Sequence, residues 1–335
     1  MKVRKNNIIQ IIACFTMLIV IIDSETAIRS ATNAIELCVR TIIPSLFPLI
    51  FLATIIRNYS ASGTSGAKRI ISKIFRIPRH AESIVLLGIL GGYPIGARCI
   101  NDMYKSGQIN KVDAERLLPI CNNAGPAFIF GIVASLFETR AAGWTIWGIQ
   151  ILSAIFISYL LPNYHIRNNN ISIQTLGNDR DPLSQALRGV ATICGWVILF
   201  RILLQFLDRW IMYLMPMQCK LILSGFIELA NGILLFNETS DPYIFIYVNC
   251  FLAFGGLCVF MQVKSSAPDL SLRLYWLGKI LQTTISGFLS SLYLAVFEHI
   301  DIRASIIFLC LSAILSYLSK KTTKNNSGNK LLCSV

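Results

Sequence analysis

Two polar, glycine-rich interruptions in an otherwise lipid-soluble chain constrain this sequence most. The first is Gly91-Gly92-Tyr93-Pro94-Ile95-Gly96-Ala97-Arg98, with Asn122-Asn123-Ala124-Gly125-Pro126 downstream. The second is Ser224-Gly225-Phe226-Ile227-Glu228-Leu229-Ala230-Asn231-Gly232, followed by Phe254-Gly255-Gly256-Leu257. Irregular backbone at membrane depth leaves amides and carbonyls without water, so it persists only where it lines a cavity or is enclosed by protein. Paired breaks at corresponding places in two halves point to a transporter's binding site.

Composition fixes the solvent. With 54% hydrophobic and 14% charged residues and a mean hydropathy of +0.61, the chain is built for lipid. A helix crosses the hydrocarbon core with about 20 residues. The apolar runs predict full spans near 7–22, 35–57, 117–137, 142–162, 186–207, 243–263, 274–297 and 303–318. The stretches 83–104 and 219–236 are apolar but broken in the middle, which predicts re-entrant hairpins. The expected fold class is an all-α polytopic membrane protein of about eight full spans.

The net charge of +13 follows topology. Lys2, Arg4 and Lys5 precede the first span and place the N-terminus in the cytoplasm by the positive-inside rule. Basic residues recur in alternate loops: Lys68 to Arg79, Lys105 to Arg116, Arg167 to Arg188, Lys264 to Arg273, and the tail from Lys320. The other loops carry acidic or balanced groups: Asp23, Glu25 and Arg29; Glu138 and Arg140; Asp208 and Arg209; Glu238 and Asp241; Glu298 and Asp301. One topology satisfies all of them, with both ends inside and the two hairpins not crossing. A nucleic-acid partner is not expected; the lipid bilayer is.

The halves repeat. Gly92 aligns with Gly225, Ala97 with Ala230 and Arg98 with Asn231, Ala124-Gly125 with Gly255-Gly256, and Thr41 with Thr192. Each half reads as span, hairpin, glycine-broken span, span, and the second copy is inverted relative to the first. The expected organisation is an N-terminal helix and outer loop (1–34), a first repeat (35–162), a polar cytoplasmic linker (163–185), a second repeat (186–298), a last helix (299–319) and a disordered basic tail (320–335). Residues 66–79 alternate isoleucines with Lys68, Arg69, Lys73 and Arg76, the pattern of an amphipathic helix at the cytoplasmic interface. The N-terminal segment lacks a small-residue cleavage site, so an uncleaved span is expected. The ten cysteines form no CxxC pair and read as buried free thiols. His80, His165 and His299 fall in loops.

These motifs together resemble the YlbJ family of sporulation integral membrane proteins, within the nucleoside-recognition (Gate) superfamily related to concentrative nucleoside transporters. The resemblance rests on Gly92 to Arg98, the Asn110 to Pro126 stretch, Gly225 to Gly232 and Phe254 to Val263, in that order and spacing. It covers roughly residues 35–297. It implies a role in spore maturation, moving dipicolinic acid across the outer forespore membrane, with both termini in the mother-cell cytoplasm. The family usually has lysine where Arg98 stands and serine where Cys258 stands.

The residue chemistry suits such a cargo. Dipicolinate is a flat ring with two carboxylates. Half-helix N-termini offer amide donors and partial positive charge, and Arg98 can hold a carboxylate bidentately. The expected binding set is Tyr93, Pro94, Gly96, Arg98, Asn122, Asn123, Gly125, Glu228, Asn231, Gly255 and Gly256. Glu228 has three open readings: a pair with Arg98, a carrier of a coupling proton or sodium ion, or a buried acid bonded to amides. Arg201 is a weaker second anion-binding candidate, and Lys279 reads as a snorkelling lysine. Glycines that only permit helix packing and aromatic rings that only fill the core remain the plain alternatives, for Tyr93 and Phe226 above all.

No enzyme motif is present, and no cofactor or metal is expected. A non-transporting sporulation protein that scaffolds envelope or cortex assembly, and a nucleoside-type transporter, stand as alternatives to the anion carrier. A homo-oligomer is compatible with the sequence.

Overall fold

The computed structural model describes residues 2–59, 66–78, 81–137, 139–162, 181–238, 241–299 and 301–332. The linker over 163–180, His80, His165 and the last three residues of the tail lie outside the described residues. Everything regular in the described residues is helical.

The chain opens with α1 (Lys2–Ile22), α2 (Ser24–Leu37) and α3 (Ile43–Tyr59), then the short α4 (Gly66–Ile74). The outer loop expected before residue 35 is instead α2, a correction to the 1–34 boundary. Asp23 caps it by accepting from the Thr26 amide, and its small buried residues Thr26, Ala27, Ser30 and Ala34 pack against a later helix. A widened turn at Cys38–Ile42 carries α2 into α3, so Ser24–Ile55 runs as one apolar unit long enough to cross a membrane.

The first half continues with α5 (Glu82–Gly91), α6 (Ile95–Lys105), α7 (Lys111–Ile120), α8 (Pro126–Gly131) and α9 (Arg140–Leu160). The second holds α10 (Pro182–Trp210), α11 (Met217–Ile227), α12 (Leu229–Leu234), α13 (Ile244–Phe254), α14 (Gly256–Ser266) and α15 (Arg273–Phe297), and α16 (Arg303–Leu332) closes the chain. α5 folds back on α6, and α11 on α12, as two helical hairpins. α7–α8 and α13–α14 are helices interrupted in the middle. Pro119 and Pro126 bracket the first interruption, and left-handed Gly255 makes the second.

Among the described residues, five helical stretches are long and apolar enough to span: Ser24–Ile55, Ala141–Leu160, Pro182–Trp210, Ile244–Ser266 and Arg273–Phe297. They fall on five of the expected spans. The stretches expected at 117–137 and 303–318 carry shorter apolar helices, Pro126–Leu136 and Arg303–Tyr317, and 7–22 lies within α1.

The halves interlock through α9 and α15, which pack on each other while α9 also meets α13 and α15 meets α7. Polar contacts gather the loops into two sets. Arg209 pairs with Asp23 at 3.3 Å. Far along the chain from these, Lys105 pairs with Asp269 at 3.1 Å, and Glu115 accepts from the Ser271 amide at 2.9 Å. Arg116, buried, donates to the carbonyls of Ser158, Arg76 and Pro162, tying α7 to the end of α9 and to the turn after α4.

Candidate functional site

Each hairpin tip seats on the broken helix of its own half. In the first half the turn Gly92-Tyr93-Pro94 lies against Asn123 to Gly125. The Tyr93 amide donates to the Asn123 carbonyl at 2.9 Å. Gly92 has φ +76°, and a Cβ there would stand 2.7 Å from the Gly125 nitrogen, so only glycine fits. Gly96 lies on the Cys121 carbonyl in the same close way. In the second half Gly256 lies beneath the last turn of α11, where a Cβ would meet the Gly225 and Phe226 carbonyls at 3.2 Å. Gly232 touches the Gly225 backbone, drawing the arms of the hairpin together. The turn itself is Glu228, because α11 stays helical through Gly225 to Ile227.

Glu228, 3% exposed, caps α12: its carboxylate accepts from the Ala230 and Asn231 amides at 3.1 and 2.7 Å. That matches the third of its readings, the buried acid bonded to amides. Asn231 thus contributes its backbone. Arg201 of α10 lies within electrostatic reach of Glu228. Arg98 donates to the Gln185 carbonyl at 2.8 Å and lies against Gly189, so its guanidinium engages the first turns of α10. Phe226 packs edge-on against Phe254 and Phe251, the core-filling alternative.

The two halves share a buried polar cluster at Asn122 and Asn123. The Asn123 side-chain oxygen accepts from Gln282 at 2.7 Å and from Lys279 at 3.2 Å, both on α15, while its amide donates to the Ile120 carbonyl at 2.7 Å. Lys279 also donates to Gln282 at 2.8 Å and stands 5.9 Å from the Tyr275 ring centre. It is 1% exposed, which corrects the snorkelling expectation: its amine turns inward to Asn123 and Gln282. Every partner of Lys279 among the described residues is neutral.

Beside this knot, buried polar atoms stand without hydrogen bonds: both side-chain atoms of Asn122, the Tyr93 hydroxyl and the Tyr275 hydroxyl. Asn122, 0% exposed, lies next to Tyr275 close enough to interact, but not in hydrogen-bonding geometry. Tyr93 is within electrostatic reach of Tyr275 and, in the second half, of Glu228 and Cys258. Orphaned buried donors and acceptors of this kind are expensive unless something fills the space between them.

The structure therefore gathers Tyr93, Pro94, Asn122, Asn123, Gly125 and Glu228 around one junction. Gly255 and Gly256 support it from the second broken helix. Sequence reasoning missed Gln282 and Tyr275 and gave Lys279 no part in the site; all three are on α15. A signal existed for Gln282: Trp144, Gln150, Phe156 and Ser158 of α9 recur in the same register as Trp276, Gln282, Phe288 and Ser290 of α15. The contacts are reciprocal as well. Gln282 reaches Asn123 and, at 3.1 Å, Ser153 of α9; Gln150 reaches the Asn249 carbonyl of α13 and Ser286 of α15, each at 3.1 Å.

No family model matches the chain, and no solved structure matches it. Among curated proteins it is similar to the sporulation integral membrane protein YlbJ of Bacillus subtilis (strain 168). The two are 22% identical over 332 residues, taking in 84% of this chain and 81% of that protein.

Proposed function

We propose that the chain is a member of the YlbJ family of sporulation integral membrane proteins, to one of which it is 22% identical, and that it carries a small planar organic anion across the outer forespore membrane by alternating access. Dipicolinate is the foremost cargo, by the family resemblance. The observation that carries the reading is the Lys279 amine, buried at the junction of both halves with only neutral partners, beside an Asn122 amide that has no partner. An ammonium so placed is costly without a countercharge, and intramembrane ionisable groups of this kind usually mark a transport path. An arriving carboxylate supplies both the charge and the acceptor.

In this reading Lys279 anchors one carboxylate, replacing Arg98 in that role, and Asn122 with the Tyr93 and Tyr275 hydroxyls holds the rest of the cargo. Gln282 and Asn123 hold the amine in place. Arg98 tethers the first hairpin to α10, and Glu228 keeps the second hairpin's turn closed.

The α9–α15 register and the reciprocal glutamine contacts support two inverted repeats, with α5–α6 and α11–α12 as re-entrant hairpins among eight spans. The pairing of Asp23 with Arg209 and of Lys105 with Asp269 supports the two-sided loop assignment, with both termini in the mother-cell cytoplasm. A rocking of one repeat against the other would break and remake the Gln282 and Gln150 contacts while the site stays enclosed.

Thermal stabilisation of the purified protein tests the cargo. Dipicolinate is expected to raise the melting temperature and uridine to leave it unchanged. Stabilisation by uridine alone would move the protein to the nucleoside-type alternative, and no stabilisation by either would remove the carrier reading.

A further inference from the structure

Resting on the carrier reading, the charges around the junction set a rule for the ligand. Asn123 ties the polar groups together: its side-chain oxygen accepts from Lys279, its carbonyl accepts from the Tyr93 amide, and the Lys279 amine stands 5.9 Å from the Tyr275 ring centre. Around Lys279, α15 packs against α7, α9, α13 and α16, and the amine meets Asn123 and Gln282, both neutral. Glu228 is a buried carboxylate, its two oxygens held by backbone amides. Arg201 lies within reach of it, so acid and guanidinium offset one another there. Arg98 is spoken for by the first turns of α10. Among the described residues of the cluster, Lys279 is then the basic side chain whose hydrogen-bond partners are all neutral.

We infer that the site takes its ligand as a monoanion: an aromatic carboxylate seated on Lys279 whose far end is neutral when bound. A second ionised carboxylate would be stripped of water in the same enclosure without a cation of its own, and a buried unpaired charge is among the costliest groups to hold. A neutral amide or acid at that end instead finds the Tyr93 hydroxyl and the Asn122 side chain, both of which lack partners. A dicarboxylate is accommodated once its far carboxylate is protonated.

Three ligands of one shape separate this from the carrier reading itself: pyridine-2,6-dicarboxylate, its monoamide and its diamide. Their binding to the purified full chain is measured at neutral pH, where both acids are ionised in water, in a choline buffer free of small metal cations. The monoamide is expected to bind at least as tightly as the diacid, and the diamide at least tenfold more weakly. Tighter binding of the diacid overturns the monoanion rule while leaving the carrier intact, and a diamide that binds as well as the monoamide also overturns it. Binding by none of the three sinks the carrier and the rule together. In Glu228→Gln, which leaves Arg201 without its acid, the diacid is expected to gain about tenfold relative to the monoamide; an unchanged ratio counts against the rule.

Discussion

Lys279 on α15 reaches across the junction of the two halves to the side-chain oxygen of Asn123, 3.2 Å away, in the gap between α7 and α8. That oxygen also takes a hydrogen bond from Gln282, so one asparagine in a helix break fixes two polar side chains of the facing helix. This arrangement leaves the buried Lys279 amine without an acidic partner and the buried Asn122 side chain without a hydrogen bond.

Gln282 is expected to hold that arrangement. Gln282→Leu removes the donor to Asn123 and Ser153 and the acceptor for Lys279, leaving buried groups unpaired at a cost of about 1–3 kcal/mol. The melting temperature should fall in ligand-free protein, and dipicolinate affinity should fall further than it does for a distant variant of equal stability. Unchanged affinity would show that Lys279 needs no such support.

Two classes of glycine should respond oppositely to alanine. Gly96→Ala forces a methyl group onto the Cys121 carbonyl, and Gly232→Ala onto the Gly225 backbone; overpacking of this kind costs about 1–3 kcal/mol. Gly148 and Gly195 have open space around them, and alanine there should leave thermal stability within about 0.5 kcal/mol or improve it. Comparable losses at all four positions would contradict the seating of hairpin on broken helix.

Sidedness can be read by cysteine labelling after the exposed Cys14, Cys219 and Cys310 are replaced. New cysteines at Lys105 and Asp269 should react with an impermeant reagent from the cytoplasmic side only, and cysteines at Asp23 and Arg209 from the opposite side only. Labelling of a pair's two members from different sides would contradict the contacts at 3.1 and 3.3 Å.

The helix breaks were legible in the sequence because their causes are local. Gly92, Pro94, Pro126 and Gly255 each dictate backbone that no ordinary helix continues, so the hairpins and interrupted helices follow from neighbours in sequence. The start of the chain was less legible. Charges at Asp23, Glu25 and Arg29 suggested a loop, yet Asp23 caps a helix whose small residues are buried by α10, a partner more than 150 residues away. Lys279 was misread for the same reason. Its place near the basic end of an apolar run suggests an amine in water, and only the packing of other helices around α15 encloses it. Arg98 attracted the anion role because it sits in the motif, whereas its side chain is spent on α10. The local chemistry was visible, but the burial that turns a lysine into a site is set by helices distant in sequence.

The most direct test of the central claim is uptake of labelled dipicolinate into vesicles holding the wild-type chain or Lys279→Gln, at equal protein and with the melting temperature of the variant checked. The account predicts that the substitution keeps the Asn123 and Gln282 contacts largely filled but lowers uptake at subsaturating substrate by about tenfold to a hundredfold, the worth of one charge-assisted hydrogen bond. Wild-type uptake by a folded Lys279→Gln protein would contradict it.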